Sequence, residues 1–166
     1  VKVKMKEDGT VYYLADALAS KVLGEDAYEV LDSFPGTAME YKEYVPLFDF
    51  VKLTKKAYYV VCDTYVTMSD GTGVVHIAPA FGEDDSKVGR RYDLPFLQLV
   101  DPKGEMTKET PWAGTFCKKA DPMVLEDLDK RGLLFAAPKF EHSYPHCWRC
   151  DTPLIYYARE SWFIKM

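Results

Sequence analysis

The apolar residues of this chain fall into short β-branched and aromatic runs, and almost every run is closed by a turn signal. "VKVKM" alternates, "EDGT" interrupts it and "VYYLA" resumes, which predicts a β-hairpin. "YEVLDSF" stops at Pro35-Gly36, "AYYVVCDTYVTM" at Asp70-Gly71, "GVVHIAP" at its own proline and "FLQLV" at "DPKGE". Side chains of this kind suit the pleated, half-buried surface of a sheet, so each run reads as a strand. The tail continues in the same way with "LLFAA", "KFEHSY", "LIYYA" and "SWFIKM".

Helical spacing is confined to three places. "DALASKVLGE" sets Leu18, Val22 and Leu23 along one face and puts Gly24 where a helix would end. "DSKVGRRYDLP" predicts a short helix stopping before Pro95. Asp121-Pro122 reads as cap and first turn of "MVLEDLDKRG", with Gly132 past its end. Residues 37–56 read as loop with short pieces. There is no repeat or low-complexity tract. The expected fold is therefore mainly β (α+β), a closed or partly closed barrel with about three peripheral helices.

A length of 166 residues suits one well-buried domain. No apolar run approaches the roughly 20 residues that cross a bilayer, and "VKVKMKEDGT" carries charge with no apolar stretch behind it, unlike a secretory signal. With no Met at the start and an apolar run at the end, both ends look cut from something longer. The formal net charge of −5 argues against wrapping long nucleic acid, but not against gripping the end of one. Four cysteines without a signal indicate a reducing, cytoplasmic setting. The fragment is expected to be monomeric.

The densest chemistry lies in "GTGVVHIAPAFGEDD", residues 71–85. As a strand, "GVVHIAP" would place Val75 and Ile77 on one face and Val74, His76 and Ala78 on the other. His76 would then stand among small residues, with room for a ligand. Pro79 ends ladder pairing, Gly82 frees the turn, and Asp84 and Asp85 fall at a helix N-terminus, where the dipole favours negative charge. Residue chemistry alone leaves two readings open: a catalytic pair, or a structural histidine and a helix-capping acid.

This stretch closely resembles the hallmark of the editing domain (connective peptide 1) inserted in class I aminoacyl-tRNA synthetases for branched aliphatic amino acids. His76, the following "AFGEDD", and the tail "EHSYPHCWRCDTPLIYYARESWFIKM" together resemble the isoleucyl-tRNA synthetases. The resemblance implies hydrolysis of mischarged Val-tRNA(Ile) inside a parent that ligates isoleucine to tRNA(Ile) with ATP. Valine is isoleucine less one methylene, and burying that group is worth only about 1–3 kcal/mol, a limit of which this pair is itself the standard illustration. A second pocket must then admit the smaller product and hydrolyse it. By matched position the resemblance implies Asp85 as anchor for the substrate's α-ammonium and His76 as size gate, these two forming the catalytic set. Thr72, Gly73, Ala78, Phe81 and Tyr144 would line the rest. The family's upstream threonine-rich stretch has no match in residues 1–40, so the fragment alone is expected to be weakly active or inactive.

The resemblance also implies two parts: residues 1–140 as the editing core without its threonine-rich strand, and 141–166 as half of a zinc knuckle with return strands towards the catalytic domain. "HCWRC" supplies Cys147 and Cys150, while a tetrahedral zinc takes four ligands. His142 and His146 stand nearby. No cofactor is expected in this fragment; ATP, Mg and Zn are expected for the parent. Lys87, Arg90 and Arg91 in "KVGRRY" are the expected contacts for the tRNA(Ile) 3′ end, with Lys118 and Lys119 adding charge. A rival reading is a non-catalytic module that docks the tRNA 3′ end.

Overall fold

A computed structural model of the chain describes residues 1–139, 143–162 and 164. They form two compact units. The first comprises Val1–Val45 and Ala57–Ala78, the second Pro46–Lys56 and Pro79–Met166. The first has a small core of Val3, Leu14 and Ala19.

In the first unit, strands β1 (Lys2–Met5), β2 (Val11–Tyr13) and β3 (Tyr28–Asp32) form an antiparallel sheet in the order β2-β1-β3. Alternation in β1 sends Val3 inward, opposite Tyr12 on one side and Val30 on the other. Val3 is fully buried with Leu14 and with Ala19 of helix α1 (Asp16–Leu23). Burying a valine in this way is worth about 1.5–3 kcal/mol. The hairpin turn is held by Asp8, whose carboxylate accepts the Thr10 amide at 2.8 Å and the Thr10 hydroxyl at 2.7 Å. α1 ends on Gly24, whose φ of 95° suits glycine.

The expected hairpin, α1 and β3 are present, and a 3₁₀ turn over Gly36–Met39 is the regular piece within the expected loop. The barrel is not. Among the described residues the sheet has three strands and is open, and helices hold more residues than strands. "AYYVVCDTYVTM" fails as a strand because Tyr58 has φ of 61°, outside the extended region, so the segment meets its neighbour through a single bridge, Glu43 to Tyr59. "GVVHIAP" starts on the second of two left-handed glycines and pairs with no strand among the described residues, leaving Val74 and Val75 exposed.

The second unit is built on helices α2 (Glu83–Arg91) and α3 (Cys117–Lys130). α2 stands where sequence places it, with its acids in the first turn. Gly89 makes it possible: a Cβ there would lie 2.8 Å from the Pro79 ring, so the 79–82 segment crosses α2 at van der Waals contact. α3 begins a turn earlier than expected, and Pro122 lies inside it. The Cys117 amide bonds to the Gly104 carbonyl, and the Phe116 carbonyl accepts from Lys119 and Ala120. These contacts set the helix start upstream of the proline.

"FLQLV" contributes one bridge, Val100 to Met106, around a turn in which Asp101 accepts the amides of Lys103 and Glu105. "LLFAA" and "LIYYA" are not in ladders. The residues around "CWRC" form a tight turn, with a bridge from His146 to Pro153. Parts of "KFEHSY" and "SWFIKM", with His142, lie outside the described residues. The failed strands share one cause: apolar pattern proposes a strand, but only a partner's amides and carbonyls complete it.

Candidate functional site

The motif's first half belongs to the first unit. Gly71 and Gly73 have φ of 72° and 74° and turn the chain onto the start of α1, where the Ala15 amide donates to the Thr72 carbonyl at 2.8 Å. A Cβ on Gly73 would lie 2.5 Å from the Ala15 methyl. The Thr72 hydroxyl bonds within the turn, to the carbonyl of Val74 at 3.0 Å. Lys21 of α1 pairs with Asp70 at 3.3 Å across the same junction. Gly73 is thus explained by packing and Gly71 by its left-handed backbone, before any ligand is invoked. Beyond it, His76 is exposed and Ala78 half-buried.

The second half belongs to the second unit. Gly82 is the N-cap of α2, and Asp85 is its third helical residue, half-buried. Its carboxylate oxygen would be 3.2 Å from a Cβ on Gly82, so it folds back over the helix start. An acid at this position typically reaches the N-cap amide. The three cations expected to meet tRNA are engaged locally. Lys87 pairs with Glu83 at 2.9 Å and Asp84 at 3.2 Å, and these bonds, to Glu83 above all, hold its ammonium above the ordinary lysine range. The Arg90 Nε donates to the Ser86 carbonyl, and Arg91 lies over the Tyr92 ring.

Two of the residues expected to line a pocket, Phe81 and Tyr144, do meet. They share a hollow of about 210 Å³ with Val100 and Ile155, and the first turns of α3 add Cys117, Lys118 and Asp121. The hollow is built by crossings of distant segments. The Ala158 amide donates to the Ala80 carbonyl at 3.1 Å, the Tyr157 hydroxyl donates to the Val100 carbonyl, and Phe81 meets Tyr157 edge-on at 5.9 Å. Gly104, with φ of 83°, leaves room for the Phe116 ring, 2.7 Å from where a Cβ would be. The Lys118 ammonium sits 4.8 Å from the centre of the Tyr144 ring. Sequence reasoning took Asp121 for a cap and Lys118 for added charge towards tRNA, and gave Cys117 no role; only Lys118, next to a second lysine, gave any signal.

Cys147 and Cys150 lie on one turn, closed by the Cys147 amide to Thr152 and the Asp151 amide to Cys147. Hydrogen bonding, first from the Thr152 hydroxyl at 3.1 Å, lowers the Cys150 thiol below its ordinary value. His146 directs Nδ1 to the Tyr144 carbonyl at 2.8 Å. Among the described residues no group of three or more His, Cys, Asp or Glu could hold a metal ion. The pair offers zinc two sulfurs of the four donors it requires. No helix among the described residues is long and apolar enough to cross a membrane.

No family model matches the chain. Its sequence is nonetheless close to known proteins. It is 52% identical over 165 residues to the isoleucine–tRNA ligase of Clostridium novyi (strain NT), covering 99% of this chain and 16% of that protein. The isoleucine–tRNA ligase of Bacillus thuringiensis (strain Al Hakam) is 48% identical over 98% of the chain. That of Thermus thermophilus is 49% identical over 152 residues, 92% of this chain and 14% of the ligase. The chain therefore spans about a sixth of the length of these relatives. Identity of this order along nearly the whole chain makes it a homologue of one segment of the isoleucine–tRNA ligases.

Proposed function

We propose that this chain is the editing segment of an isoleucine–tRNA ligase and hydrolyses the ester of valine misattached to tRNA(Ile). The single observation that supports the reading is the hollow shared by Phe81 and Tyr144, two residues that the resemblance assigns to the pocket lining. At about 210 Å³ it is below the roughly 300 Å³ at which drug-sized pockets begin. It has room for a short aliphatic side chain. The ester is already activated, so positioning and an oriented water suffice. Water adds to the carbonyl carbon, the bond to the ribose oxygen breaks, and that oxygen takes a proton as the amino acid leaves as its carboxylate.

In this reading Asp85 holds the α-ammonium through a charge-assisted bond, and His76, with Thr72, Gly73 and Ala78, belongs to the size-selective wall. Lys87, Arg90 and Arg91 guide the tRNA 3′ end. Residues 1–140 are the editing core. Residues 141–166 are the knuckle half that completes a zinc site and returns to the catalytic domain of the parent, where ATP and Mg act. One observation favours a second reading, a non-catalytic tRNA-end docking module: the Asp85 carboxylate lies over Gly82 in the manner of a helix cap.

The test is deacylation of Val-tRNA(Ile) by the full-length ligase carrying Asp85→Ala or Asp85→Asn. The editing reading expects both to lose deacylation while aminoacylation persists, because neither supplies a charged partner for the ammonium. Asn retains a capping oxygen. Deacylation lost in Asp85→Ala and kept in Asp85→Asn would assign Asp85 to capping and overturn its substrate role.

A further inference from the structure

The three tryptophans of the chain are held in different ways. Trp112 packs edge-on against Phe48 and Phe50, with ring centres 5.7 Å from each. Trp162 is fully exposed, and among the described residues no hydrogen bond or ring contact holds it. Trp148 is different again: its ring is 88% exposed, yet the turn that carries it is closely built. The Cys147 amide donates to the Thr152 carbonyl at 2.9 Å, the Asp151 amide to the Cys147 carbonyl at 2.8 Å, and the Leu154 amide to the Pro145 carbonyl at 3.0 Å. The Arg149 guanidinium lies 4.9 Å from the centre of the Trp148 ring. Among the described residues it takes part in no ion pair, although Asp151 is two places away.

We propose that Trp148 and Arg149 form a stacking platform for an unpaired nucleotide of RNA. The base lies on the open face of the indole, and the guanidinium donates to a phosphate flanking that base. Composition separates this occupant from a protein surface. A protein-docking face has an apolar centre and a polar rim, whereas residues 149–152 of the tip are Arg, Cys, Asp and Thr, with no second large apolar residue. A lone exposed ring beside an unpaired cation suits single-stranded nucleic acid: stacking accepts any base, and the cation takes the backbone. The rigid turn helps, because a ring ordered before binding loses little freedom on stacking. The turn also starts beside the hollow, since His146 directs Nδ1 to the Tyr144 carbonyl and meets the Tyr144 ring at 5.9 Å. The inference rests on the proposed reading for its choice of RNA, and it adds a contact outside α2.

The probe is oligoadenylate of about six nucleotides, within the usual site sizes for a single strand. It is titrated into this chain under reducing conditions and followed by the indole N–H resonances, assigned by substituting each tryptophan. Saturable binding should shift the Trp148 resonance and leave that of Trp112 in place. Trp148→Ala should weaken binding about fivefold or more, the usual effect of removing one stacking ring, and Trp148→Phe should recover part of it. Arg149→Gln should flatten the log–log salt dependence by about 0.7, the share of one phosphate contact on a single strand. Both side chains are exposed and the turn is held by backbone hydrogen bonds, so the variants keep the fold, which circular dichroism verifies. No saturable binding, an unmoved Trp148 resonance, or equal binding of an abasic strand of the same length would each overturn the proposal. In the full-length ligase, Trp148→Ala with a lowered melting temperature and unchanged tRNA affinity would assign the ring to a protein contact and overturn it too. Deacylation by Asp85→Ala depends on none of these results, so the two ideas fail separately.

Discussion

Gly73→Ala tests whether the motif's glycine pair serves the fold. Two costs arise from the geometry. Alanine at φ of 74° enters the left-handed region, at about 1–2 kcal/mol. Its methyl would also lie 2.5 Å from the Ala15 methyl, where carbon atoms ordinarily keep about 3.5–4.0 Å. Overpacking of that degree costs about 1–3 kcal/mol. The sum, about 2–5 kcal/mol, is a large share of the 5–15 kcal/mol typical of a domain. The damage should appear first where the turn docks, at the Ala15 amide that donates to Thr72. The assay is hydrogen exchange at Ala15 and Val3, with urea unfolding followed by circular dichroism. Gly73→Ala should lower protection at both, and Ala15→Gly in the same chain should restore the part due to the clash. A Gly73→Ala chain as stable as the parent, with the Ala15 amide equally protected, would refute the reasoning.

Two further outcomes follow from the same kind of contact. Gly89→Ala should destabilise the chain, although alanine in a helix is normally better by about 1 kcal/mol; the Pro79 ring, 2.8 Å from the added methyl, reverses the sign. Urea midpoints decide it, and a stabilised variant would show that Pro79 yields. Asp8 has its carboxyl pKa lowered below 3.8, first by the Thr10 hydroxyl and then by the Thr10 amide. Its folded pKa is depressed, so its contribution to the hairpin is fully present above the unfolded pKa and is lost as pH falls through the folded one. A carboxyl-carbon NMR titration should place its midpoint below that of the unfolded chain, and Asp8→Asn should remove the matching acid-range shift of the Thr10 amide.

How much of this was legible in sequence depended on how far each element reaches for its partners. The β1–β2 hairpin, α1 and α2 are closed by residues a few positions away: Asp8 to Thr10, Gly24 at the end of α1, Gly82 at the start of α2. Strands such as 57–68 and 74–78 have the right composition, but their ladders require partners that composition does not name. Tyr58 at positive φ shows local pattern overruled by tertiary contacts, since no propensity scale places an aromatic residue there. The start of α3 failed for the same reason: Asp121-Pro122 is a sound local signal, but the Cys117 amide bonded to Gly104 outweighs it.

The candidate site divides along the same line. Phe81 and Tyr144 could be nominated singly because each lies in a recognisable motif, whereas Val100 and Ile155 join them only through the crossing of the 155–158 segment over Ala80 and Val100. Charge divides for a related reason. "KVGRRY" carries the denser run of cations, yet Glu83 and Asp84 lie one helical turn from Lys87 and hold it. Lys118 is followed by another lysine, and the first acid within helical reach, Asp121, is not paired with it among the described residues. Whether a cation is open to a ligand depends on the acids three and four places away, which a count of basic residues does not record.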